Sequence, residues 1–221
     1  MTKNPYAPDF DDLPDVLPIF PLEGVLLLPG GNLPLNIFEP RYLAMVETAM
    51  ASHRMIGMVQ PKTEEPKHSG KSAIYDVGCA GKITEFAETE DGRYLISLTG
   101  ISRFHVEQEL SVVTNFRQIN ADWTSYKDDV VKADCLDMDR EKLKNLLADY
   151  FSKNDMDCDW QAIEQADDSR LITCLSMACP LSPSEKQALL EAKDCGNRAD
   201  LFMTMLQMAI CAEDGCAKHP H

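Results

Sequence analysis

Three short runs carry residue types that could do chemistry. Ser69-Gly70-Lys71-Ser72 ends like a phosphate-binding loop. Such a loop needs a glycine five residues before Gly70, so that backbone N–H groups can cradle phosphate. Glu65 stands there, and its carboxylate repels phosphate. The run reads as a solvated loop. Asp155, Asp157 and Asp159 have the spacing of the first ligands of a helix-loop-helix calcium site. The turn glycine of that site is replaced by Trp160 and the bidentate glutamate by Ala166. These acids read as a junction between helices. Gly100–Phe104 (GISRF) lacks the second glycine of a nucleophile elbow.

The remaining reactive side chains are dispersed. There are five histidines, and no HExxH pair joins any two of them. His105 alternates with Phe104 and Val106 as in a strand and reads as a surface residue. Eight cysteines form no CxxC pair, and the Cys174/Cys179 and Cys211/Cys216 spacings put partners on different helix faces. Free thiols are the expectation, because the first eighteen residues contain no apolar core of an export signal. No run supplies nucleophile, base and oxyanion site together, so no enzyme, cofactor or metal is expected.

The scaffold that must position these residues has room to form. A chain of 221 residues can bury a sizeable core, about 70% of the unfolded surface at this length. The net charge of −15 favours solubility and weighs against phosphate backbones and anionic lipid. The longest charge-free run, Gly24–Phe38, is cut by Pro29, Gly30, Gly31 and Pro34, so no membrane span is expected and the location is read as cytoplasmic.

The N-terminal residues 1–15 read as a loose polar arm. Val16–Phe20, Val25–Leu28 and Leu33–Ile37 read as short strands, with Pro18 and Pro34 at edges, bulges or strand starts. Pro40 opens a helix whose buried face carries Tyr42, Leu43, Val46, Ala49 and Met50. Met55–Gln60 is a strand, and Pro61–Ser72 a polar loop. Asp91-Gly92 signals a hairpin, Gly100 a bulge or bend, and Val112–Trp123 one more strand. After Trp123 the pattern turns helical. Residues 128–168 hold thirteen acids against five bases. Leu143, Leu146, Leu147, Tyr150 and Phe151 mark one helix, Trp160 and Ile163 a second, and Leu171, Ile172, Leu175 and Ala178 a third. Ser182-Pro183-Ser184-Glu185 has a capping-box pattern opening a fourth. Leu201, Phe202, Met205, Leu206 and Ala209 mark the last, where Met203, Met205 and Met208 read as core. The fold class is α+β, with a β-rich part over 1–123 and a helical part over 124–221.

The stretch LPIFPLEGVLLLPGGNLPLNIFEPRY, Leu17–Tyr42, resembles the opening of the N-terminal substrate-binding domain of the Lon ATP-dependent protease family. The matching residues include Pro18, Phe20, Pro21, Leu22, Pro29, Gly30, Leu33, Pro34, Leu35, Ile37, Phe38, Glu39, Pro40, Arg41 and Tyr42. The blocks over residues 77–106 and 171–206 are similar to the family's hairpin and helical half. The resemblance implies a PUA-like pseudo-barrel followed by a helical bundle. It also implies a role in engaging unfolded or tagged protein substrates. The sequence holds no ATPase or peptidase motif, so those activities are not expected.

The resulting expectation is a non-catalytic protein- or peptide-recognition module, an adaptor or modulator of proteolysis. Its partners would be unfolded or extended polypeptides, or a protease or chaperone. RNA binding through the PUA-like half is the alternative. It is weakened by seventeen acids against ten bases over 1–123. An unrecognised enzyme is the third reading. Candidate contact residues are Leu27, Leu33, Glu39, Arg41, Tyr42, Arg103 and Phe104. Leu27 and Leu33 are expected as exposed apolar contacts. For Glu39, Arg41, Arg103 and Phe104, a client-facing patch competes with a structural tie between helix and barrel.

Overall fold

The computed structural model describes residues 8–62, 72–130 and 138–213. Residues 69–71 of the phosphate-loop-like run, most of the 61–72 loop and the last eight residues lie outside them. Among the described residues six strands form in chain order: β1 (Val16–Pro21), β2 (Asn32–Ile37), β3 (Met55–Val59), β4 (Val77–Glu88), β5 (Tyr94–Glu109) and β6 (Arg117–Asp122). Helix α1 (Pro40–Met50) lies between β2 and β3. After β6 come α2 (Arg140–Lys153), α3 (Trp160–Gln165), α4 (Asp168–Ala178), α5 (Pro183–Glu191) and α6 (Cys195–Glu213). The class is α+β. Among the described residues no helix is long and apolar enough to cross a membrane.

The sheet runs β2-β5-β4-β3-β1-β6, and β6 also pairs with β5. Five strands thereby close a barrel, and β2 lies outside it on the first half of β5. Only β1 and β3 run parallel. Leu17, Ile19, Val59, Ala80, Phe104 and Ile119 fill the barrel, all buried. Gly57 and Gly78 make room for Phe104: a Cβ on either would lie within 3.0 Å of its ring. Leu13 and Trp123 belong to the same core, and the Trp123 indole donates to the Pro14 carbonyl at 3.2 Å. The expected loose arm is therefore corrected for residues 8–15, because Leu13 gains more as part of the barrel core than in water.

A second core wraps the outside of the barrel. It joins α1, the 22–31 segment and the helices through Leu26, Leu27, Leu28, Met45, Leu147, Leu189 and Phe202. Met203 and Met205 lie in it, whereas Met208 is exposed. Val25–Leu28, expected as a strand, is irregular. It is bracketed by Gly24 and Gly30, whose φ of +71° and +76° turn the chain out of extended geometry. It crosses β5 at Gly100, where a Cβ would stand 2.0 Å from the Leu28 carbonyl oxygen. Side chains serve its backbone in place of a ladder. Gly24 N–H donates to Gln60 Oε1 at 3.0 Å, and Lys186 Nζ donates to the Gly24 carbonyl at 2.8 Å. Gln60 Nε2 donates onward to the Pro183 carbonyl at 2.8 Å. The part-buried bonds of Gln60 and Lys186 tie barrel to helices.

The expected strand over 112–123 shrinks to β6, because Val113 projects fully into solvent without a partner strand. Pro34 sits on the outer strand β2, as expected. Pro18 lies in the inner strand β1, but before its pairing with β3 begins at Ile19. The bulge near Gly100 is present, at Ile101, which is skipped between Ala80↔Ser102 and Gly81↔Gly100.

The acid-rich stretch has a local cause. Asp139, Asp159 and Asp167 are N-caps of α2, α3 and α4, each accepting a backbone N–H at 2.9–3.0 Å. Ser182 and Glu185 form the capping box of α5. A carboxylate at such a position satisfies an orphan donor and meets the helix dipole, for about 1 kcal/mol. Among the cysteines, Cys79, Cys158, Cys174, Cys179 and Cys211 are free, and Cys195 is disulfide-bonded, which corrects the expectation of a free thiol there.

Candidate functional site

Three of the expected contact residues, Leu27, Tyr42 and Phe104, are core. Leu27 is 1% exposed and lies between barrel and helices, which corrects its expected exposure. The glycines that bend the 22–31 segment turn it inward. Phe104 is wholly buried and meets Trp123 edge-on at 5.6 Å. Arg103 is buried beside it but points out of the barrel. Its Nε and Nη2 donate to the two Asp129 carboxylate oxygens, both at 2.8 Å. Its Nη1 donates to the Leu190 carbonyl at 3.1 Å, at the end of α5. Burial alone would lower the Arg103 pKa, but the Asp129 hydrogen bonds and charge raise it above the ordinary value. Arg198 donates to the adjoining Leu189 carbonyl at 2.9 Å. Burial, then the charge of Arg103, pull its pKa down to about 10. Two guanidinium groups thus hold the negative end of α5. Arg103 is a tie between β5 and the helices, the structural one of its two readings.

Glu39, Arg41 and Tyr42 come together where β2 gives way to α1. Arg41 donates to Glu39 Oε2 from Nε at 2.9 Å, and its guanidinium lies 4.6 Å from the Tyr42 ring centre. Tyr42 is buried against Phe20 at 4.2 Å, and burial raises its pKa. The Glu39–Arg41 pair is exposed, so it adds at most about 1 kcal/mol. Phe38 beside it is 64% exposed. Leu33 is half-buried on β2.

The open part of the molecule lies further along the same strands. β4 and β5 are twice as long as the barrel requires, so their hairpin runs on beyond it, joined by β2. Gly100 exchanges backbone bonds with Gly30 and Gly31. By alternation, Leu98, Ile96 and Tyr94 turn their backbone groups to β2, and Leu33, Leu35 and Ile37 answer them. The unpaired edge of β2 is left to Asn32, Pro34 and Asn36. The missing N–H of Pro34 falls on that edge, where it blunts strand addition. An open concavity of about 440 Å³ covers this region, with Leu35, Glu85, Phe86, Leu95 and Ile96 in its lining. Phe86 and Leu95 are 44% and 45% exposed.

Sequence reasoning missed Phe86, Leu95 and Phe38 as surface residues. Alternation in a strand shows that two faces differ, but not that both are uncovered. The one available signal was hairpin length, since the runs flanking Asp91-Gly92 exceed every other strand.

Among the described residues, the two buried thiols are not activated. Burial pushes the Cys79 thiol up, and the Cys179 thiol up to about 11, which keeps both protonated. Among the described residues no three His, Cys, Asp or Glu side chains converge as a metal site.

A barrel with an overgrown hairpin and a helical cover leaves apolar side chains exposed at Phe38, Phe86 and Leu95. The family model for the ATP-dependent protease La (LON) substrate-binding domain matches residues 16–208, and the chain belongs to that family. Lon protease 2 of Myxococcus xanthus is 23% identical over 197 residues, covering 89% of this chain and 24% of that protein. The chain spans about a quarter or less of the first curated relatives it matches. The Lon N-terminal domain protein of Xanthomonas campestris has a similar fold, with a TM-score of 0.57 and 23% identity over 86% of this chain and 97% of that one. The N-terminal domain of Mycobacterium avium complex Lon protease is similar too, with a TM-score of 0.62 and 16% identity over 87% and 98%.

Proposed function

We propose that the chain is a polypeptide-recognition module that performs no chemistry of its own. It takes up unfolded or extended segments of client proteins in the cytoplasm and acts as an adaptor or modulator of proteolysis. The observation that carries this reading is the uncovered apolar side chains of the β2–β5–β4 hairpin, Phe86 on one face of the sheet and Leu95 on the other. A family of substrate-binding domains supplies the context. Leu33, Glu39, Arg41 and Tyr42 border that surface through β2 and the start of α1. Leu27, Arg103 and Phe104 lie beneath and hold the scaffold. In this reading the β-rich part, 1–123, contacts the client, and the helical part, 124–221, braces it.

An exposed apolar face is costly in water, and a partner that covers it recovers about 25 cal/mol per Å². The test is an amide NMR titration of the labelled chain with an unfolded model polypeptide, with a short RNA as control. Saturable shifts confined to β2, β4, β5 and the start of α1, with polypeptide only, are the expected result. Shifts with RNA alone would replace this reading by nucleic-acid recognition. No shifts with either would remove it.

A further inference from the structure

The two faces of the hairpin differ in charge. On one face, strand register places Leu35, Ile96 and Phe86 in one cross-strand row and Ile37, Tyr94 and Glu88 in the next. Phe86 and Tyr94 stand diagonally with ring centres 5.0 Å apart. The Tyr94 hydroxyl donates to Glu47 Oε1 of α1 at 2.9 Å. That bond, then burial and the charges of Glu47 and Glu88, raise the phenol pKa. Two carboxylates therefore converge on one aromatic ring at the rim of an apolar surface.

The neighbouring arginines are committed to other acids. Arg93 pairs with Asp91 at 2.7 Å, and Arg41 pairs with Glu39 at 2.8 Å. Lys82 and Arg93 lie on the opposite face, alongside Leu95 and Ser97, with Glu85 as the acid that accepts the Ser97 hydroxyl there. The whole chain carries −15, so no distant surplus of positive charge offsets this rim.

We propose that this face selects extended client segments in which a lysine or arginine lies among apolar residues. This rests on the recognition reading above and names the client's chemistry. The apolar residues of the segment cover Leu35 and Phe86. The cationic side chain lies over the Tyr94 and Phe86 rings, between Glu88 and Glu47. Rings and carboxylates both attract a cation, and a long basic side chain buries its methylenes on the same surface. An acidic segment meets two like charges and is rejected.

Three fluorescein-labelled decapeptides test this, sharing one apolar centre and flanked by lysine, serine or glutamate. Binding is read by anisotropy at low and high salt, for the wild-type chain and for Glu47→Gln/Glu88→Gln. In that variant the amide oxygen that replaces the Glu47 carboxylate still accepts the Tyr94 hydroxyl. The face therefore keeps its shape, which circular dichroism and the amide spectrum check. The expected result is at least tenfold tighter binding of the lysine peptide than the glutamate peptide, shrinking with salt. In the double variant the three peptides bind within about twofold of one another, at the wild-type affinity for the serine peptide. Equal affinities for wild type, with shifts at Phe86 and Tyr94, would overturn the charge selection and leave the recognition reading standing. No binding of any peptide, or shifts elsewhere only, would overturn both.

Discussion

β5 is one strand of sixteen residues with two different lives. From Gly100 onward it belongs to the closed barrel, and Arg103 and Phe104 are both buried. From Tyr94 to Thr99 it runs through the open hairpin, with Leu95 exposed on one face and Phe86 of β4 exposed on the other. In the closed half a buried charge has every partner it needs, Asp129 and the carbonyls at the end of α5. In the open half, carboxylates and rings face outward. The closed half is finished inside the molecule; the open half leaves apolar side chains uncovered. Function in this fold is legible as what the scaffold leaves unsatisfied.

The largest expected effect lies in the closed half. Asp129→Ala leaves Arg103 buried without its counter-ion and destabilises by about 3–5 kcal/mol, read from the urea midpoint. A loss below about 1 kcal/mol would mean Arg103 is solvated and the two halves are not so different. Gly100→Ala comes next. Its Cβ meets the Leu28 carbonyl, so the 22–31 segment must shift, at a cost of about 1–3 kcal/mol. An unchanged midpoint would show that this crossing is loose.

The third prediction uses pH. Burial raises the Cys179 pKa from 9.0 to about 11 in the folded chain. Its contribution to stability is therefore complete below pH 9 and declines as pH rises from 9 toward 11, by up to about 1.4 kcal/mol per pH unit. Lys186, whose pKa burial lowers, contributes the opposite slope. Comparison with Cys179→Ala isolates the thiol: the variant should lose less stability than wild type between pH 9 and 10. Parallel curves would mean that solvent reaches Cys179. The smallest effect on stability, and the sharpest contrast, belongs to Phe86→Ser. It should move the urea midpoint by no more than about 0.5 kcal/mol while weakening polypeptide binding at least tenfold. A large destabilisation would make Phe86 core and erase the distinction between the halves.

Local chemistry was readable in the sequence. Pro40, the Asp91-Gly92 turn and the Ser182–Glu185 box act within a few residues, so helix starts and the hairpin fell where expected. The Asp155/Asp157/Asp159 series resolves in the same way, since Asp159 caps the helix that Trp160 begins. What was not readable depends on distant partners. Leu27 and Leu33 look alike in one dimension, yet a glycine-bounded segment carries the first inward and leaves the second on the outermost strand. Val25–Leu28 and Val112–Val113 have strand propensity, but no free ladder meets them. The open face was hidden for the same reason, because Phe86 and Leu95 follow the alternation of a covered strand.

The bonds joining Gln60 to the Pro183 carbonyl and Lys186 to Gly24 span 123 and 162 residues of chain. During synthesis from the N-terminus, Gln60 therefore precedes its helical partner by about 6–25 s at 5–20 residues per second. Through that interval the apolar 22–31 segment lacks the cover and the bonds that α5 and α6 supply. The nascent barrel is then itself an unfinished protein with a sticky surface, in transient need of the kind of attention it is proposed to give to others.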